Sequence, residues 1–227
     1  MEKKQYDLCI EVLRRLDESG LLKHIVLVGS WCTLFYKDYF SGIKYASVLK
    51  TRDIDFLIPR PGKITKSVDI AGLLKDLGFV TGFTGMEGYM RLEHPQLIIE
   101  FLVPRTRGEY AMPYDLPQLG FNAQALRYLD LIGENTIVAE KEGIKVVIPH
   151  PAGFALHKLL IAGKRRNKDK IAKDIQDAER VLHALIEKGE EESVKRIFKS
   201  MPKKWQNKIK DGIKELQDEK LSGIFEI

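Results

Sequence analysis

The sequence predicts an α+β fold, a mixed-sheet core followed by a C-terminal helical bundle. Three observations predict it. Up to Ile148, short β-branched and aromatic runs alternate with amphipathic helical stretches and glycine-marked turns. From Pro149-His150-Pro151 onward the apolar spacing is helical throughout. Between these regimes no repeat or low-complexity tract intervenes, so the chain divides into an α/β domain over 1–148 and a helical domain over 149–227.

The elements follow in order. Lys3 to Ser19 reads as an amphipathic helix with Leu8, Val12, Leu13 and Leu16 as its stripe and Gly20 placed to end it. His24 to Val28 is a short apolar strand. Gly29-Ser30 follows at once, and Trp31 to Phe40 reads as helix. A strand, a tight Gly-Ser turn and a helix start let the backbone approach a ligand closely and favour phosphate. Ser30 suits a cap or a phosphate contact, although a purely structural Gly-Ser turn fits the same residues. Trp31, Phe35 and Tyr36 read mainly as core aromatics, with stacking on a base as the lesser alternative for one of them. Ser41 to Lys50 connects.

Thr51 to Ile58 is a buried-strand pattern stopped by Pro59-Arg60-Pro61-Gly62. Period-two alternation puts Asp53 and Asp55 on one face, Cα atoms roughly 6.6 Å apart. Neither has a basic residue at i±2. Two such carboxylates repel unless a cation lies between them, and a hard divalent ion such as Mg²⁺ suits them. A strand end whose aspartates face water fits Asp-x-Asp equally well. Lys66 to Leu77 is expected as a helix ended by Gly78. Phe79–Phe83 and Tyr89–Glu93 form a hairpin across Gly85 to Gly88.

Leu97 to Val103 is the most apolar strand, with one acid, Glu100, in its middle. A buried acid costs several kcal/mol, about what a partner or a metal must offset, so Glu100 is the candidate third carboxylate. Pro104 to Gly120, with Arg105 and Arg107, reads as a long irregular segment. A short helix is expected over Asn122–Leu131. Thr136–Ala139 and Ile144–Ile148 form a second hairpin. Helices are expected over Pro151–Ala162, Asp169–Glu187, Glu191–Lys199 and Lys203–Asp218.

Charge and composition narrow the classes. The net charge is +5 and the sequence pI about 9.0, compatible with a polyanionic partner. No apolar run is long enough to span a bilayer and Met1–Gln5 lacks a signal-peptide core, so no membrane role and a cytoplasmic location are expected. Cys9 and Cys32 lack metal-site spacing and read as reduced, buried thiols.

The order strand, Gly29-Ser30, helix, then Asp53-Ile54-Asp55 and a later strand with Glu100 resembles the nucleotidyltransferase superfamily, which includes DNA polymerase β, poly(A) polymerases and aminoglycoside nucleotidyltransferases. The likeness covers roughly Val26 to Val103. Weaker markers continue to about Leu185: Ile148-Pro149-His150-Pro151, Phe154 to Leu159, Arg165-Arg166, Lys170, Lys173-Asp174 and Gln176. These look like a minimal bacterial and archaeal branch similar to abortive-infection toxin nucleotidyltransferases. Two features depart from the pattern. The Trp31–Arg52 spacer is long, and the third acid is Glu where many members carry Asp.

The resemblance implies transfer of a nucleoside monophosphate from a triphosphate to a hydroxyl acceptor: an RNA or tRNA end, a protein or a small molecule. It implies Asp53, Asp55 and Glu100 as catalytic and metal ligands for two Mg²⁺ or Mn²⁺ ions, and a nucleotide-binding set of Gly29, Ser30, Lys158, Arg165 and Asp174. An antitoxin protein is an implied partner. Each of the helical residues has an ordinary alternative. Lys158 fits a snorkelling lysine on its helix, in one row with Phe154, Ile161 and Arg165. Lys170, Asp174 and Asp177 fit a solvated salt-bridge face. His150 suits a cap, His157 a packed helix position, and Lys164–Lys170 a solvated turn or an RNA phosphate track. Two other functions compete: a metal-dependent nuclease or phosphohydrolase using the same acids, and a non-enzymatic, basic nucleic-acid-binding regulator. A preformed phosphate turn at Gly29-Ser30 speaks against the first, and the intact acids against the second.

Overall fold

The computed structural model describes residues 3–47, 51–105 and 112–227. The chain forms two compact units, Met1–Phe35 with Val48–Pro149, and Tyr36–Ser47 with His150–Ile227. Arg107 lies outside the described residues. Among the described residues, no helix is long and apolar enough to cross a membrane.

The first unit is built on a mixed sheet ordered β1-β2-β5-β4-β3. β1 (Val26–Val28) pairs antiparallel with β2 (Asp53–Leu57), matching Val26 to Leu57 and Val28 to Asp55. β2 pairs in parallel with β5 (Ile98–Pro104), matching Asp53 to Ile98 and Asp55 to Glu100. β4 (Tyr89–Glu93) runs antiparallel to β5 and to the edge strand β3 (Val80–Thr84). Beyond β4 along the same side of β5 comes β7 (Phe121–Leu126), with β6 (Pro113–Leu116) beside it. β8 (Thr136–Lys141) and β9 (Ile144–Pro149) form a separate hairpin.

The alternation of β2 and β5 assigns the two faces. Ile54, Phe56, Ile99 and Phe101 point to one side and are at most 1% exposed. Phe56 stacks on Phe101 at 5.7 Å, and the edge of Phe121 meets Phe101 at 5.3 Å. Each such ring contributes about 1.5–3 kcal/mol by burial. The opposite side is apolar at one end only. There Val26, Val28, Leu57 and Leu102 pack with Leu129 and Ile132 of α4 (Leu129–Glu134). At the other end the same face carries the acids. The preceding helix α1 (Lys3–Glu18) buries Cys9, Val12, Leu13 and Leu16. Cys9 and Cys32 are buried thiols outside any disulfide, and burial pushes the Cys9 thiol far up.

Three expected elements differ. The helix expected over Asn122–Leu131 is strand β7 followed by α4. Phe121, Ala123 and Ala125 are buried in alternation with Asn122 and Gln124, and pairing with β5 and β6 overrides helical composition. The helix expected from Lys66 begins only at Ile70, as α3 (Ile70–Leu74). Asp69 caps it through Gly72 N–H at 3.0 Å, and the Val68 N–H is taken by the Gln118 carbonyl at 2.8 Å. The segment read as irregular from Pro104 to Gly120 contains β6 and a 3₁₀ turn at Pro117–Leu119.

In the second unit α5 (Pro151–Ala162) is the central helix, buried at all but one of its positions, and α6 (Lys168–Glu187), α7 (Glu191–Ser200) and α8 (Lys203–Leu216) pack against it. α9 (Glu219–Phe225) adds a helix beyond the expected ones. The segment after Tyr36 joins this unit through its aromatic side chains. Tyr36 meets Phe154 edge-on at 5.5 Å, and the Lys188 ammonium lies 3.7 Å from the Tyr39 ring centre. The Tyr39 hydroxyl donates to Glu190, and burial followed by that carboxylate pushes the phenol well up.

Candidate active site

Register brings three acids to one face. Asp53 and Asp55 alternate on β2, and Glu100 stands directly across from Asp55 on the neighbouring strand. Adjacent strands lie about 4.8 Å apart, and partners in register project to the same side. Asp53 is exposed, while Asp55 and Glu100 are half-buried at the margin of the Leu57/Leu102 apolar patch. Thr51 Oγ1 donates to Asp53 Oδ2 at 3.1 Å and accepts from the Asp53 N–H at 3.1 Å, which orients the first carboxylate.

Gly29 completes this face. It follows Val28, the register partner of Asp55, and its φ is +73°. A Cβ added to Gly29 would lie 2.5 Å from Asp55 Oδ2, inside any permitted contact. The position needs glycine for its left-handed backbone and for its closeness to the carboxylate. Residues Gly29–Trp31 form a 3₁₀ turn that runs into α2 (Cys32–Tyr39). Ser30 is buried, and its carbonyl accepts from Thr33 Oγ1 at 2.7 Å.

Sequence reasoning missed Arg91. It stands opposite Glu100 on β4, so this face presents a cation next to the acids, with Arg91 Nε bonded to Glu93 Oε1 at 2.7 Å. Only strand register reveals this, and the hairpin sequence carries no mark of it. The Thr51 contact was missed as well, although Thr-x-Asp is a local hydroxyl–backbone motif that signals it.

The remaining candidates come together in the helical unit. Lys158 Nζ donates to Asp174 Oδ1 at 2.6 Å, and Arg165 Nε donates to Asp174 Oδ2. Asp177 Oδ2 is 4.0 Å from Lys158 Nζ, and Asp177 Oδ1 accepts from Arg180 at 3.1 Å. Two readings are corrected here. Asp174 and Asp177 do not form a solvated face; they are 2% and 3% exposed, on the side of α6 turned to α5. Lys158 does not snorkel; its ammonium is buried in the pair with Asp174. Arg165 lies beyond the end of α5, in the exposed turn that holds Lys164–Asn167.

His150 caps α5, its Nδ1 accepting from Ala152 N–H at 3.2 Å. His157 is fully packed. Burial, then the neighbouring Lys158 charge, pushes it down to about 3, so it is neutral at physiological pH. A further trio in this unit, Glu179, His183 and Asp218, has ligand atoms within 4.8 Å of one another. Its geometry has a structural cause. Asp218 Oδ2 lies 2.7 Å from His183 Nε2, and Asp218 Oδ1 caps α9 through Leu221 N–H at 3.0 Å.

Known proteins bear on this geometry. The profile of a family described as Nucleotidyltransferase matches residues 7–202. This chain belongs to that nucleotidyltransferase family and is a transferase enzyme. Among solved structures it is similar to an antigenic nucleotidyltransferase-like protein from Paracoccidioides brasiliensis, with a TM-score of 0.53 and 16% identity over 98% of this chain and 91% of that one. It is also similar to ANT(2")-Ia, solved in complex with adenylyl-2"-tobramycin, with a TM-score of 0.50 and 16% identity over 86% of this chain and 97% of that one. At that identity both likenesses speak to the fold. No curated protein sequence matches.

Proposed function

We propose that this protein moves a nucleoside monophosphate from a nucleoside triphosphate to a hydroxyl acceptor, with Asp53, Asp55 and Glu100 as ligands for divalent Mg²⁺ or Mn²⁺. The observation that carries this reading is the single face that holds all three acids, with Gly29 set against Asp55. The donor set fits such ions: hard carboxylate oxygens brought to one face by register. When bound, two such ions supply Lewis-acid charge neutralisation at the transferring phosphate.

The chain's own groups take the other roles. The backbone N–H groups of the Gly29-Ser30 turn bind the β- and γ-phosphates, which the missing Cβ leaves accessible. Glu100 accepts the proton of the attacking hydroxyl. The acceptor oxygen then bonds to the α-phosphorus, the bond to the β-phosphate oxygen breaks, and pyrophosphate leaves. Arg91 holds negative charge on the same face. Lys158, Arg165 and Asp174 form the nucleotide-binding set, in which Asp174 fixes both cations. A second role for Lys158, a purely structural ion pair, is favoured by its 6% exposure.

An RNA or tRNA end, a protein hydroxyl and a small-molecule hydroxyl all suit this chemistry. The adenylylated aminoglycoside in the ANT(2")-Ia complex supports a hydroxyl acceptor. The branch resemblance suggests a toxin-like setting with an antitoxin partner.

Thermal shift tests the nucleotide half. A ligand that binds only the native state raises Tm by mass action. At least one of ATP, CTP, GTP and UTP with Mg²⁺ is expected to do so at millimolar concentration, and Asp55→Asn is expected to abolish the shift. No shift with any of the four contradicts the reading.

A further inference from the structure

A cavity of about 280 Å³ opens in the first unit at the end of the β1–β2 pair away from the acids. Its walls carry four basic side chains, Lys23, His24, Arg60 and Lys63, and no carboxylate. Two short turns deliver them in pairs. Lys23 and His24 close the 3₁₀ turn that leads into β1. Arg60 and Lys63 flank the Pro61–Lys63 turn that follows β2, where the Lys63 N–H bonds the Arg60 carbonyl at 3.0 Å. Both side chains line the cavity.

Pairing β1 with β2 antiparallel, Val26 to Leu57, joins the two turns at one end of the sheet. Val26 and Val147 supply an apolar wall, and Thr136 adds a hydroxyl. Lys23, Arg60 and Lys63 are exposed and His24 is half-buried. Among the described residues, none of the four side chains forms a hydrogen bond or ion pair with a protein group. This contrasts with Arg14, Arg15, Arg91 and Lys158 of the same chain, each held by a carboxylate.

Convergent cations without a counter-acid cost self-repulsion, which an anion offsets. Three cations exceed what one phosphate monoester needs, and with the His24 imidazole they line an open recess beside an apolar wall. Such a recess suits successive phosphodiesters with their sugars. We propose that this cavity binds the phosphodiester backbone of a polynucleotide, making the acceptor of the transfer a nucleic acid. The acceptor assignment rests on the nucleotidyl-transfer reading, whereas the binding site itself does not. β2 rises roughly 6.6 Å from Asp55 to its end at Leu57 and the recess lies beyond that end, so it is an anchor distinct from the reacting centre.

The test is fluorescence anisotropy of a labelled single-stranded RNA 12-mer and its DNA counterpart, titrated without triphosphate at several salt concentrations. The double variant Arg60→Gln/Lys63→Gln is compared with Lys203→Gln/Lys204→Gln, which removes the same charge from exposed positions on α8. The cavity variant is expected to bind on the order of tenfold more weakly at low salt, with a salt slope reduced by about 1.4, while the control binds like wild type. Equal binding by the two variants overturns the proposal. So does a wild type that binds inorganic phosphate or a mononucleotide at this cavity and no oligonucleotide, which assigns a small-anion site instead. All four substituted positions are exposed, and an unchanged Tm verifies the fold. Oligonucleotide binding that behaves as expected, alongside no triphosphate-induced Tm shift, upholds the cavity and locates the failure in the transfer reading.

Discussion

Gly29 lies against the carboxylate of Asp55, so close that a Cβ there would come within 2.5 Å of Oδ2, and its φ of +73° is one that side chains disfavour. One residue therefore links the turn to the acids. Gly29→Ala is expected to cost about 1–2 kcal/mol of stability from the left-handed backbone alone. It is also expected to lower transfer by at least ~100-fold, because Asp55 must move aside. Chemical denaturation and a transfer assay on the same sample check both. Full activity with a Tm loss alone would mean that the contact is only structural.

Neutralising one acid should separate function from stability. Asp53→Asn or Asp55→Asn is expected to abolish transfer while changing stability by no more than about 1 kcal/mol. Melting without added metal gives the second quantity. A much larger loss of Tm in metal-free buffer would mean that the carboxylate holds the fold.

Lys158 sits in a buried pair with Asp174. Lys158→Met is expected to destabilise by about 3 kcal/mol, the low end for breaking a buried pair, since Arg165 still serves Asp174. Denaturant titration measures this. The KM for triphosphate, taken on the same variant, separates the two roles. A rise of about 10–100-fold, that of a charged hydrogen bond, assigns the ammonium to the phosphates as well, and an unchanged KM confines it to the pair.

Acid should loosen the helical unit in two stages. His157 is held down to about 3 from 6.5, so the unfolded chain takes up its proton first. Its contribution is whole above pH 6.5 and declines steadily as pH falls toward 3. Asp218 is held below 3.8, first by the Leu221 N–H and then, against the opposing effect of burial, by His183. Its contribution is present above pH 3.8 and is lost as pH falls through the lowered value. Tm measured between pH 7 and 3 should fall throughout, and His157→Gln should flatten the part between 6.5 and 4.

Much of this fold was legible because period-two and helical spacing are local properties. Asp53 and Asp55 declared their shared face by alternation, and Glu100 stood out as a lone acid in an apolar strand. Their mutual register was not legible, since forty residues separate β2 from β5 and the sheet order is a tertiary fact. β7 was misread because Ala, Gln and Leu carry helical propensity, and only the slots beside β5 and β6 make them a strand. Asp174 was misread as solvated because its partner Lys158 sits on another helix, sixteen residues earlier. The helix spacing of α6 shows which residues share a face, not which face turns inward.

Labelled triphosphate tests the central claim most directly. The protein is incubated with Mg²⁺ or Mn²⁺, total RNA or lysate, and each triphosphate carrying label at the α- or the γ-phosphate. The account predicts that α-label from at least one triphosphate enters an acceptor fraction, that γ-label leaves as pyrophosphate, and that Asp55→Asn abolishes both. Transfer of γ-label to the acceptor, or α-label incorporation that survives Asp55→Asn, would contradict it.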